Sequence, residues 1–370
     1  MSIAMKAIVL GLAILLALLA AITATGFLTG FGWSAIGWLG LIALVLVLAA
    51  ILPVSTRGLN SHPGQSPTYA EAVNRYNDAR VNPEAPINPL CEPRLLLHGH
   101  PTPRVYVLIH GLSNCPYTFI EWAPMLFAAG HNVMVPRMPR NGHKDIATDA
   151  LRHSSAQELA SFCDWCVDIA SALGREVVVV GISGGGVLAG WMAQNRPEVT
   201  RAVLVAPAFG LAQFGGLPNA FLMRLMLLLP HISVWKDPIR RATGPSRAHS
   251  YKRQSTHGTA EYLRLGLAVR RQAGDRKPAA GSIVVVTNQD DNSVDSALTA
   301  ETAAIWERDG ADVSRHVFPR DAHLPHEMID PTEPGAMPGL VYPTLTALAE
   351  PRQVKPDPGD GLAVLSALAR

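Results

Sequence analysis

The segment Val177-Val-Val-Val-Gly181-Ile182-Ser183-Gly184-Gly185-Gly186 sets one serine among glycines, directly after a run of valines and before a helix-forming stretch. A serine hydroxyl is a weak nucleophile at neutral pH; it needs a base to take its proton and a carboxylate to hold that base. In a G-x-S-x-G turn the chain passes sharply from strand to helix and leaves the Oγ exposed. Side chains in place of the flanking glycines would meet neighbouring backbone. The helix that follows aims its dipole and first amides at developing negative charge. Candidate partners lie downstream in the order such a turn requires. Asp290 and Asp291 follow the apolar run Ile283 to Val286, and His323 and His326 follow Val313 to Phe318. The chemistry implied is acyl transfer through a covalent serine intermediate.

These residues must be held by a framework, and the chain supplies one. Six short apolar runs, Val105 to Ile109, Asn132 to Val135, Val177 to Val180, Ala202 to Val205, Ile283 to Val286 and Val313 to Phe318, have the length and composition of strands buried on both faces. Between them fall helix-like stretches from Thr118 to Ala129, Ser155 to Leu173, Val187 to Asn195 and Ala297 to Arg308. Ser155-Ala-Gln-Glu158 has the form of a capping box. Alternating strand and helix predicts an α/β fold, a mostly parallel sheet with helices on both faces. Each candidate then sits just beyond the C-terminal end of a strand, where open α/β sheets build their sites. The alternation breaks at about 209–278, which reads as an insertion with an apolar stretch from Phe221 to Leu229.

With these motifs in place, the chain resembles the α/β-hydrolase superfamily over roughly residues 94–350, in particular bacterial esterases and monoacylglycerol-lipase-like serine hydrolases. The likeness rests on Val107-Leu-Ile-His110-Gly111, on Val135-Pro-Arg-Met-Pro-Arg-Asn-Gly-His143, on the Ser183 turn, on Asp291-Asn-Ser-Val294 and on Asp321-Ala-His323. It implies the α/β-hydrolase fold with a lid at about 209–278, and a Ser-His-Asp triad. The family pattern selects Asp291 over Asp290, and the first histidine after the last strand, His323, over His326. Gly184 is expected to supply one oxyanion-hole amide, and the family pattern puts the other at Leu112, with His110 supporting that loop. Asn288 stands where many relatives carry glycine. Carboxylic esters, with lipophilic acyl groups favoured by the apolar lid, are the expected substrates; a peptidase or thioesterase on the same fold, or a catalytically idle membrane binding module, are the competing readings.

Composition bounds the rest. Lys and Arg number 31 against 29 Asp and Glu, with no long block of either sign, so nucleic acid is not an expected partner. The mean hydropathy of +0.18 is high, and the apolar excess is concentrated at the N-terminus. The 50 residues between Lys6 and Arg57 hold no Asp, Glu, Lys or Arg, enough for two crossings of a bilayer, at about 7–25 and 33–53. Residues 1–56 are therefore expected to form a transmembrane hairpin. Basic residues flank both ends, which would leave the catalytic domain on the cytoplasmic side of a bacterial inner membrane. Residues 57–93, rich in Pro, Asn, Ser and Gly, read as a linker, and 351–370 as a tail. Cys163 and Cys166 read as reduced thiols packed in a helix, while the four cysteines neither require nor exclude disulfides. No nucleotide, phosphate-loop or zinc motif is present, so no cofactor is implied.

Overall fold

The computed structural model describes residues 33–81, 85–212, 216–236 and 247–350. All six apolar runs form strands: β2 (Thr102–Ile109), β3 (Asn132–Val135), β4 (Gly174–Ile182), β5 (Val199–Val205), β8 (Ser282–Asn288) and β9 (Val313–Phe318). With β1 (Arg94–Leu96) they make one seven-stranded sheet in the order β1-β3-β2-β4-β5-β8-β9. β1 is antiparallel to β3 and every other pair is parallel. Parallel strands need crossover helices, and these cover both faces. Along β2, Val105, Val107 and Ile109 face a layer built from α4 (Ala156–Leu173), α5 (Gly184–Asn195), α7 (Thr256–Asp275) and α8 (Ser296–Arg308). Tyr106 and Leu108 face the opposite layer, with α3 (Trp122–Ala128) and α9 (Pro338–Ala349). The α/β part of the fold class read from the sequence, a mostly parallel sheet with helices on both faces, is the one observed.

Local signals hold with adjustments. Ser155 caps α4, its side chain accepting from the Glu158 amide at 3.1 Å. Glu158 does not complete a capping box through its carboxylate, which pairs with Arg140 at 3.1 Å. The helix expected over Thr118 to Ala129 is split into a 3-10 turn at Pro116–Phe119 and α3.

Residues 57–93 are not a free linker. They include α2 (Tyr69–Val81), which packs on α4, and they bury Leu59, Ala72 and Tyr76 in the main core. Ser61 and the His62 amide bond to Asp164, and the Gly64 amide bonds to Asp168. The same two aspartates, with Glu198, surround the buried Arg196. A chain rich in Pro and Asn lies flat here because its backbone donors meet fixed carboxylates, a partnership no local signal announces.

The first expected crossing lies outside the described residues. Of the second, α1 (Trp33–Ile51) is helical and rests on α6 (Gly216–Leu228) of the insertion. Among the described residues no helix is long and apolar enough to cross a membrane. The expected tail, 351–370, also lies outside the described residues. The insertion holds α6, a two-stranded ribbon of β6 (Ser233–Trp235) and β7 (Arg253–Ser255), and α7.

The return limb of the insertion is tied to the loop after β9 by a buried cluster. Asp330, with no exposed surface, accepts from Arg247 at 2.6 Å and pairs with His249 at 2.7 Å. Burial alone would raise the Asp330 pKa. Hydrogen bonds from His249 and Thr332 and the nearby Arg247 charge outweigh it and hold the group at about 2. A carboxyl depressed in the fold contributes stability above its unfolded pKa, and that contribution is lost as pH falls through about 2. Asp330→Asn should cost about 3 kcal/mol, because it leaves Arg247 and His249 without their shared carboxylate. Urea unfolding at pH 7 checks this, and the gap between the two proteins should narrow as pH falls below about 4.

Candidate active site

Ser183 sits between β4 and α5 with φ 57° and ψ −117°, a conformation that non-glycine residues rarely adopt. The turn is locked from all sides. The Ser183 amide donates to the Val205 carbonyl at 2.9 Å, and its own carbonyl accepts from Ala208 at 3.0 Å. A Cβ on Gly181 would lie 2.0 Å from the Gly185 carbonyl oxygen, and one on Gly185 would lie 2.2 Å from that of Ile109. Only glycine fits either position, so the strained serine is over-determined by its surroundings.

Two carboxylates and two histidines compete for the partner roles, and the structure separates them. His326 places Nε2 2.8 Å from Ser183 Oγ and Nδ1 2.7 Å from Asp291 Oδ2. The Asp291 side chain is 1% exposed, and its Oδ1 accepts from the Ser293 amide at 2.8 Å. His323, the expected base, is elsewhere: its ring is 82% exposed and meets Asp290 at 3.2 Å. The correction has a local cause. Arg320–Ala322 form a 3-10 turn that ends on His323 in the left-handed region, at φ 43° and ψ 38°, and this turns its side chain to solvent. The chain then runs inward, and Asn288 Nδ2 donates to the Leu324 carbonyl at 2.6 Å. The asparagine that replaces glycine thus anchors the loop that delivers His326.

Burial would lower the His326 pKa, but the Asp291 hydrogen bond and the charge of Glu327 outweigh it, and the net shift is upward. An imidazole with Asp291 at one nitrogen and a hydroxyl at the other has its tautomer set: Nδ1 carries the proton and Nε2 is free to accept.

The expected oxyanion residues come together. Gly184 opens α5, so its amide is among the first-turn donors without an intrahelical acceptor. The Leu112 amide nitrogen lies 3.0 Å from where a Cβ on Gly184 would stand. His110 supports this loop as expected: it is fully buried, Nδ1 bonds to the Gly111 carbonyl at 2.9 Å, and Nε2 accepts from the Met138 amide at 3.1 Å. Burial pushes its pKa down to about 3, so it remains neutral. Ser113 is held from the insertion, its carbonyl accepting from the Tyr251 amide at 2.9 Å.

The loop is also tied covalently. Cys115 is bonded to Cys91, with Cα atoms 5.3 Å apart, a pairing the sequence left open. Cys163 and Cys166 are buried free thiols in α4, as expected, and burial raises both pKa values well above the usual thiol range. Ser183, Gly184, Leu112 and His326 open onto a cavity of about 480 Å³ beneath the insertion, with Leu211, Met226, Val234 and Leu263 on its walls.

A family model described as the alpha/beta hydrolase family matches residues 106–334, more than half of the chain. The chain belongs to the α/β-hydrolase family. Among solved structures it is similar to the monoacylglycerol lipase of Paleococcus ferrophilus. The identity is 16% and the TM-score 0.52, over 70% of this chain and 98% of that one. It is also similar to a lipolytic enzyme from the metagenome-derived pair LipS and LipT, at 16% identity and TM-score 0.50, over 71% and 98% of the two chains. At such identity these likenesses establish the α/β-hydrolase fold and no more. A search of curated proteins finds no match.

Proposed function

We propose that this α/β-hydrolase is a serine hydrolase of carboxylic esters. Ser183 is the nucleophile, His326 the general base, Asp291 the group that orients it, and the Leu112 and Gly184 amides the oxyanion donors. The observation that carries this is the continuous chain of hydrogen bonds from Ser183 through His326 to Asp291, with Ser183 and His326 lining one cavity. As Ser183 Oγ attacks the ester carbonyl, His326 Nε2 takes its proton, and the buried Asp291 carboxylate stabilises the imidazolium. The alcohol leaves with that proton, and water attacks the acyl-enzyme by the same route in reverse. The two amides meet the oxyanion of each tetrahedral intermediate. The apolar walls formed by Met226, Val234 and Leu263 favour a lipophilic acyl group. Activity-based labelling with a fluorophosphonate, followed by p-nitrophenyl esters of increasing chain length, tests the reading. Absence of labelling would overturn it, and cleavage of thioesters or peptides in preference to esters would replace the substrate class.

The same reading places the enzyme at a membrane through its uncharged N-terminal segment, with the lipid bilayer as partner. The Cys91–Cys115 bridge supports an oxidising location for the catalytic domain, since such bonds persist chiefly outside the reducing cytoplasm. That favours a single crossing with the domain outside over the hairpin with the domain inside. A reporter fused after Arg57 should therefore signal from the external side. A cytoplasmic signal there would restore the hairpin.

A further inference from the structure

We propose that Lys236 forms a subsite for an anionic oxygen group, such as a carboxylate, carried by the ester substrate; this rests on the serine-hydrolase reading above. Lys236 follows β6 in the insertion and lines the same cavity as Ser183 and His326. The residue as a whole is exposed, and its ammonium bonds to the loop that follows Leu112. Nζ donates to Ser113 Oγ at 2.5 Å and to Ser250 Oγ at 3.3 Å. Ser113 is the residue after Leu112, so the charge stands at the edge of the oxyanion hole.

The electrostatic balance around this ammonium is incomplete. An ammonium has three N–H donors, and hydroxyls take two of them here. Among the described residues no carboxylate lies within ion-pair distance of Nζ. The other cation on the cavity wall, Arg247, is already neutralised by Asp330 at 2.6 Å and Glu333 at 2.9 Å. Glu327 also lines the cavity, its Oε2 buried without a hydrogen-bond partner and its Oε1 beside Gly111, and it makes no ion pair with Nζ. Burial pushes the Lys236 pKa down to about 8, which the Glu327 and Glu333 charges do not offset. A partly buried ammonium bonded only to neutral hydroxyls gains from a ligand that brings the countercharge. Leu211, Met226, Val234 and Leu263 line the same cavity and take the apolar remainder of such a substrate.

Two matched pairs of esters test this in the full chain. The first compares p-nitrophenyl hemiglutarate with p-nitrophenyl pentanoate, which puts the charge on the acyl side. The second compares 4-carboxyphenyl butyrate with phenyl butyrate, which puts it on the alcohol side. The readout is the ratio of kcat/KM within each pair, so any loss common to both esters cancels. The native protein should favour the anionic member of one pair by roughly 10-fold or more, as for a charge-assisted bond. Lys236→Met should remove that preference and Lys236→Arg should keep most of it. A native ratio near one in both pairs, or a ratio unchanged in Lys236→Met, overturns the subsite. Calorimetric binding of the same esters to Ser183→Ala, with and without Lys236→Met, reads the subsite without turnover. Lys236-dependent binding of the anion without hydrolysis by the native protein would keep the subsite and sink the hydrolase reading. Hydrolysis without charge preference would do the reverse.

Discussion

Ser183→Ala is expected to lower ester turnover by roughly 10⁴- to 10⁶-fold and to abolish fluorophosphonate labelling. The size of the effect follows from what is lost. Among the described residues no other hydroxyl donates to His326 Nε2, and the strained turn holds the Ser183 oxygen against the imidazole. The substitution removes one side-chain oxygen from a residue whose backbone is fixed by bonds to Val205 and Ala208 and by Gly181 and Gly185, so the fold should survive. Circular dichroism and urea unfolding of the variant should match the native protein. Labelling that persisted in the alanine variant would show that another nucleophile is used.

The second large effect separates the two histidines. His326→Ala should lower kcat by at least about 10²-fold, the usual cost of losing a general base, whereas His323→Ala should leave it nearly unchanged. Asp291→Asn should likewise be far more damaging than Asp290→Asn, since Asp291 holds His326 and Asp290 meets only the exposed His323. pH dependence gives an independent check. The base works as neutral imidazole, and the His326 pKa is raised above its usual value. In the native protein kcat/KM should therefore fall as pH drops, with a midpoint above about 6.5. A variant with His323 removed should show the same acid limb. A limb that vanished in His323→Ala would return the base to the first histidine of the loop.

The division between what could be read early and what could not follows the range of the interactions involved. The strands announced themselves because burial on both faces demands unbroken apolar runs, and Val177 to Val180 or Ile283 to Val286 can be little else. The Ser183 turn was equally legible, since Gly181 and Gly185 are required by contacts within a few residues and with one adjacent strand. The end of a strand pointed to Asp290 and Asp291 together, while the choice of Asp291 and of the Leu112 amide came from the resemblance to the α/β-hydrolase superfamily.

The base did not. His323 and His326 are three residues apart in one loop. Which of them faces Ser183 depends on a 3-10 turn, a left-handed residue at His323 and an anchor from Asn288 at the end of the neighbouring strand. Residues 57–93 look like a linker because Pro and Asn favour irregular backbone; Asp164 and Asp168, about a hundred residues away, make that backbone part of the core. The Cys91–Cys115 bond and the Lys236–Ser113 contact likewise join segments whose separation hides them from local patterns. Sequence determined six strands of the sheet, the turn and the candidate nucleophile, because these depend on near neighbours. Tertiary structure alone decided which histidine meets Ser183, the clamp on the loop after His110 and the charge in the cavity, because each depends on how distant loops meet.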